Sequence, residues 1–160
     1  LRFEAGLPLY GDELSECISP VMAGLSMFCK LDKEEFIGKE ALGRQKSEGV
    51  QEKIGGLGGK DRAIPRAGYV VENLEGKQVG VVTTGYHSIS LDKSLAFALV
   101  DAAYAALRTP LQVKDEFERR RKEVHSEILL QVIDCRSIVH KEVKNHWVLH
   151  LLYELTVVHS

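Results

Sequence analysis

Gly68-Tyr69-Val70-Val71-Glu72-Asn73-Leu74-Glu75-Gly76-Lys77-Gln78-Val79-Gly80-Val81-Val82-Thr83-Thr84 holds two runs rich in β-branched residues, joined by a short polar turn. Gly68 to Glu72 and Lys77 to Thr84 read as strands. Asn73-Leu74-Glu75-Gly76 is the hairpin turn between them, with Gly76 in the left-handed position that costs a glycine least. Downstream, Tyr86 to Asp92 reads as a loop and Ser94 to Val100 as another strand. Asp101 suits the cap of a short alanine-rich helix, Ala102 to Leu107, and Leu111 to Val113 begins a further strand. Short strands with glycine turns suit a small antiparallel barrel.

Upstream, the stretch from Val50 to Gly59 is glycine-rich, and the apolar period changes there from helical to strand-like. The run Gly55-Gly56-Leu57-Gly58-Gly59-Lys60 lacks the spacing of a phosphate-binding loop. Ile54 stands where the first glycine of that loop belongs, and Asp61 where a Ser or Thr belongs. A strand and its following turn fit better. Before Val50, Lys39 to Glu48 reads as a helix closed by Gly49. Leu14 to Lys30 contains another predicted helix, with Ser19 as cap, Pro20 at the first position, and Val21, Leu25, Phe28 and Cys29 on one face. The fold class is therefore α+β, with a boundary near Val50.

The first stretch, Leu1-Arg2-Phe3-Glu4-Ala5-Gly6-Leu7-Pro8-Leu9-Tyr10-Gly11, is dense in residues that fix the backbone. Gly6 and Gly11 permit positive φ, and Pro8 holds its own φ while pushing Leu7 extended. Apolar Phe3, Leu7 and Leu9 alternate with Arg2, Glu4 and Tyr10, a mixture suited to a pocket wall. This stretch resembles a motif of the glycine-cleavage T-protein family, the folate-dependent aminomethyltransferases. The likeness continues in order through Ile18-Ser19-Pro20, Ala23-Gly24-Leu25, Lys30-Leu31-Asp32-Lys33 and Phe36-Ile37-Gly38-Lys39-Glu40-Ala41-Leu42. It runs on through Ile64-Pro65-Arg66, Gly68-Tyr69 and Val82-Thr83-Thr84-Gly85, covering about the first two-thirds of the chain.

The resemblance implies three regions: residues 1–50 as the C-terminal part of a folate-binding domain, 51–113 as the family's C-terminal β-barrel, and 114–160 as a divergent tail. It implies tetrahydrofolate as cofactor and the lipoyl-carrying H-protein as partner. The reaction implied passes the aminomethyl group from the lipoyl arm to tetrahydrofolate, with release of ammonia. Arg2, Glu4, Tyr10 and Met27 would line one side of the folate pocket. No catalytic residue is nominated, because the family's essential aspartate belongs to a half that these residues do not match. The chain begins without Met inside a motif and reads as a fragment of a longer protein, inactive alone. Two alternatives share the domain pair: the folate domain of a sarcosine or dimethylglycine dehydrogenase, and a non-catalytic folate-binding protein of iron–sulfur cluster assembly. Gly6-Leu7-Pro8-Leu9-Tyr10-Gly11 and Phe36-Ile37-Gly38-Lys39 favour the transferase over both.

Departures from the family pattern are local at three positions. Met27 stands where the family has tryptophan, Met22 where an acid is common, and Arg108 where glycine follows the short helix. If that last position is left-handed, a non-glycine there costs about 1 kcal/mol. Beyond Val113 the likeness fades. Lys114 to His125 is a charge run with acid-before-base pairs at helical spacing, read as a solvated helix. Ile128 to Ile133 and Val148 to Val158 are apolar and demand burial. The tail is either a genuine replacement of the family's ending or the product of a shifted reading frame, and the sequence leaves both open.

The 160 residues are 44% hydrophobic and 28% charged, enough for a sizeable core. A net charge of −2 gives no electrostatic pull toward nucleic acid or membrane, and no apolar run reaches the ~18 residues needed to span a bilayer. Cys17, Cys29 and Cys135 form no C-x-x-C pair, which fits a reduced setting, cytoplasmic or, in a eukaryote, mitochondrial. His146, His150 and Glu154 share a helical spacing but lack the flanking acid of a zinc-protease motif, so no metal is assigned. His87 reads as a turn residue rather than a catalyst.

Overall fold

The computed structural model describes residues 2–3, 5–59, 63–114 and 128–133, the last of these by backbone alone. Six strands form the molecule's centre: β1 (Glu52–Gly59), β2 (Val70–Glu72), β3 (Gln78–Ser88), β4 (Lys93–Asp101), β5 (Pro110–Lys114) and β6 (Ile128–Ile133). They pair antiparallel throughout, in the order β1-β4-β3-β2-β5-β6, and β6 returns to β1 to close a barrel. The small antiparallel barrel expected from the hairpin pattern is thus present. Its extent differs from the sequence reading, which ended the barrel at residue 113. Val113 pairs with Ile128, and Gly56 with Ile133, so a sixth strand lies between two strands that would otherwise be open edges. The charge run at 115–127, the apolar run at 148–158, and His146, His150 and Glu154 lie outside the described residues.

The interior is filled by Leu57, Val71, Val79, Val82, Ala96, Ala98, Val100, Leu111 and Val113. These come from β1, β2, β3, β4 and β5, one face of each strand turned inward. β4 departs from a simple alternation: Ser94 to Ala98 are all buried. Ala96, Ala98 and Val100 face the core, so Leu95 and Phe97 must be covered from outside the barrel. The glycines of β1 meet that outer side. Gly56 pairs with Phe97 and Gly58 with Leu95, so β1 sets no side chain directly opposite either of them. The run that superficially resembled a phosphate loop is a strand thinned for packing.

The hairpin turn at Asn73–Gly76 forms as expected. Asn73 Oδ1 accepts the amides of Glu75 at 3.0 Å and Lys77 at 2.9 Å, and Gly76 sits at φ 81°. β3 runs four residues beyond the expected Thr84, so His87 is a strand residue paired with Ser94 rather than a loop residue. Its Nε2 lies 3.3 Å from Asp92 Oδ1.

α1 spans Lys39–Glu48 between two glycines at φ 88°, Gly38 and Gly49, matching the reading of that segment. The other two predicted helices shorten. Ser19 does act as a cap, accepting the Met22 amide on Oγ at 3.2 Å. The turn then stops at Gly24, whose φ of 75° cannot continue a right-handed helix. Only a 3₁₀ turn, Ser26–Phe28, follows. After β4, Ala102–Tyr104 is also a single 3₁₀ turn, and Asp101 makes no side-chain cap. The Ala102 amide instead donates to Gln51 O at 2.7 Å, tying the turn to the entry of β1. Arg108 is left-handed at φ 68°, as feared from its departure from glycine.

Two substitutions test this packing. A Cβ on Gly85 of β3 would overlap the Pro65 carbonyl, so Gly85→Ala should cost about 3 kcal/mol or more in chemical denaturation. Arg108→Gly should instead raise stability by around 1 kcal/mol, read as an upward shift of the melting temperature.

Candidate functional site

The segment before α1 is built from tight turns, and one of them carries a buried acid. Leu9 O accepts the amides of Asp12, Glu13 and Leu14 at 3.3, 3.0 and 3.1 Å. The Gly11 amide returns to Leu14 O at 2.7 Å, with Gly11 at φ 103°. This curl aims the Glu13 side chain back at its own start, where Oε2 accepts the Leu9 amide at 2.9 Å. A carboxylate returning to the first amide of its own turn is the reciprocal half of a capping box.

Glu13 is 0% exposed, the largest charged side chain buried completely among the described residues. Leaving an ionised carboxylate unpaired there would cost several kcal/mol. Its two oxygens divide the compensation. Oε2 takes the Leu9 amide and faces Arg2 Nη1 at 3.4 Å. Oε1 accepts the hydroxyls of Thr84 at 2.6 Å and Thr83 at 3.0 Å. Thr84 Oγ1 also lies 3.5 Å from Asp12 Oδ2, but a hydroxyl has one proton, and the shorter contact takes it. No buried side-chain polar atom is left without a partner among the described residues.

Two adjacent threonines on a regular strand would point to opposite faces. Here they reach one oxygen because the β3–β4 register shifts between Val82 and Thr84: Val82 pairs with Ala98, Thr84 with Phe97, and Thr83 is the extra residue. A β-bulge of this kind re-aims side chains, and this one converts two successive hydroxyls into a fork for one carboxylate.

The same rung anchors an aromatic. Phe3 packs at a 4.5 Å centroid distance and a 45° tilt on Phe97, the cross-strand partner of Thr84, and lies 6.0 Å from Tyr86. The segment thereby supplies the cover that the outer face of β4 requires. Further along, Met22 O accepts the Ile54 amide at 2.9 Å, and Ser19 Oγ donates to Gln45 Oε1 of α1 at 2.6 Å.

The residues expected from sequence to line a pocket fall into different settings. The Arg2 guanidinium is used within the segment, donating to Leu7 O at 2.7 Å as well as facing Glu13. Tyr10 is 72% exposed and Met27 65% exposed. Glu4 lies outside the described residues. Cys17 and Cys29 are free thiols, and no cluster able to hold a metal is found among the described residues. No helix among them is long and apolar enough to cross a membrane.

Sequence reasoning missed Glu13 altogether. Thr83 and Thr84 were in a quoted motif without a role, and nothing in a linear reading joins them to an acid 70 residues away. The available signal was the order of motifs: a glycine-turned segment early, and a Thr-Thr-Gly later in a strand.

A closed antiparallel barrel carrying an ordered, turn-rich segment on its outer face defines a class of two-part domain. A family model for the glycine cleavage T-protein C-terminal barrel domain matches residues 53–130. The aminomethyltransferase of Alkaliphilus oremlandii (strain OhILAs) is 50% identical over 137 residues, covering 86% of this chain and 36% of that protein. That of Thermoanaerobacter pseudethanolicus is 51% identical over 113 residues, or 71% and 30% of the two chains. The crystal structure of glycine cleavage system aminomethyltransferase T from Bartonella henselae aligns with a TM-score of 0.75 at 29% identity, over 85% of this chain and 36% of that one. The chain spans about a third of the length of these relatives. It belongs to the glycine cleavage T-protein (aminomethyltransferase) family and corresponds to the C-terminal portion of that family.

The geometry around Glu13 fixes a graded expectation. Glu13→Ala strands two hydroxyls and an amide and should destabilise the chain by about 3–5 kcal/mol in urea. Glu13→Gln keeps one acceptor for the Leu9 amide, and the threonine hydroxyls can turn to accept its NH₂. Its loss should be clearly smaller, at about 1–2 kcal/mol.

Proposed function

We propose that this chain is the C-terminal portion of a tetrahydrofolate-dependent aminomethyltransferase of the glycine cleavage system. In this reading, residues 1–50 end the folate-binding domain, and the barrel follows. The enzyme transfers the aminomethyl group from the lipoyl arm of H-protein to tetrahydrofolate, and ammonia leaves. The observation that supports it most is the identity of about 50% to aminomethyltransferases across both regions, rather than over the barrel alone.

The site residues fit a binding role and not a reacting one. Tyr10 presents a flat, exposed ring from a backbone bonded on either side, which suits stacking along a folate ring system. Exposed Leu7 and Leu9 and, after the turn at Gly24, Met27 supply apolar surface. Arg2 buttresses this wall through Leu7 O and the Glu13 carboxylate. The Glu13 carboxylate is fully buried and engaged by the Leu9 amide and two threonine hydroxyls, which suits a structural role. The tetrahydrofolate, when bound, supplies the one-carbon acceptor. The residues described here orient it and exclude water from one side.

Two measurements test the reading. In a full-length aminomethyltransferase containing this segment, Tyr10→Ala should weaken tetrahydrofolate binding by about 1–3 kcal/mol in calorimetry, and Tyr10→Phe by much less. Unchanged affinity in Tyr10→Ala assigns the ring to structure instead. The purified 160-residue chain, given lipoylated H-protein and tetrahydrofolate, should show no turnover, because the family's aspartate is not among its residues.

A further inference from the structure

We propose that Glu13, held by the Thr83–Thr84 bulge, is the positioning residue for Tyr10, so that the barrel sets the orientation of the ligand-facing segment. This deepens the folate reading above and rests on it for the identity of the ligand, though not for the positioning itself.

The backbone on both sides of Tyr10 is fixed, and both fixings run through the Glu13 turn. The amide of Leu9, just before it, donates to Glu13 Oε2, and the amide of Gly11, just after it, donates to Leu14 O. Tyr10 itself bridges to Leu14. Its ring is nevertheless 72% exposed and held by none of these bonds. A side chain that contributes little burial on a backbone so closely bonded is a presented group, and presentation needs an external reference. That reference is β3. Oε1 of the same carboxylate is gripped by two hydroxyls from one bulge, at 2.6 and 3.0 Å. One side chain therefore links the amide beside Tyr10 to a strand of the closed barrel. A stability role alone would be met by any apolar contact, such as the tilted Phe3–Phe97 pair next to it. The directional, charge-assisted fork adds a fixed angle that apolar packing does not.

The test uses the 160-residue chain with Thr84→Val, Thr83→Val and Thr84→Ser, which leave Glu13 and Tyr10 in place. Amide hydrogen exchange is read at Leu9 and Gly11, with Val82 and Leu57 of the barrel as internal references. Thr84→Val should speed exchange at Leu9 and Gly11 by roughly tenfold relative to the references, Thr83→Val by less, and Thr84→Ser should restore protection. Equal acceleration at segment and barrel amides, or none at either, would overturn the proposal and leave Glu13 as a general stabiliser. Binding is measured in parallel by calorimetry with tetrahydrofolate as the probe. If the wild-type chain binds it, Thr84→Val should raise Kd by roughly fivefold or more with Thr84→Ser near wild type, and an unchanged Kd overturns the proposal. If the wild-type chain, which lines only one side of the pocket, shows no binding, the exchange comparison alone decides the positioning claim, and the folate reading is decided by the full-length Tyr10→Ala measurement above.

Discussion

The buried Glu13 carboxylate ties the first segment of this chain to its barrel. Glu13 sits in a turn that closes on itself, and it is tied to a strand 70 residues further on by two threonine hydroxyls. Taking a carboxylate out of water is expensive, and only a full set of short, directed donors offsets the cost. The structure supplies that set through the Leu9 amide on one oxygen and the bulged threonines on the other. The turn, the bulge and the docking of the segment are mutually dependent, because removing any one strands polar groups in the other two.

The barrel is shaped to receive that segment. β4 is buried on both faces, and the ring of Phe3 closes over the outward-facing Phe97. Glycines of β1 stand opposite Phe97 and Leu95, and a glycine of β3 admits the Pro65 backbone. Several of the motifs read from the sequence are thus contact points of this arrangement. Gly85 is the approach for Ile64-Pro65-Arg66, the Gly68 amide bonds Val82 O, and Thr83-Thr84 receives Glu13.

How much of this was legible varied with the distance over which the physics acts. The Asn73–Gly76 hairpin and α1 between Gly38 and Gly49 were readable, because turn chemistry and helix-ending glycines are local. The helix expected over 14–30 was overstated: Ser19 and Pro20 gave a true start signal, but Gly24 ended it after one turn. β6 was missed as part of the barrel because strand pairing across a 13-residue gap leaves no local mark. At the site, residue type alone singled out Arg2 and Tyr10, and the structure places Arg2 in bonds within its own segment and Tyr10 at the surface. The Glu13 fork was invisible, since a bulge is a property of two strands in register and not of Val82-Thr83-Thr84-Gly85 by itself.

The most direct measurement of this account is a double-mutant cycle between Glu13→Ala and Thr84→Val on chemical denaturation of the whole chain. Residues in one charged hydrogen-bond network should be strongly coupled, and the account predicts an interaction of about 1.5–3 kcal/mol, with the two losses far from additive. Additivity within about 0.3–0.5 kcal/mol would mean that the segment and the barrel are held together by something other than this carboxylate, and would contradict it.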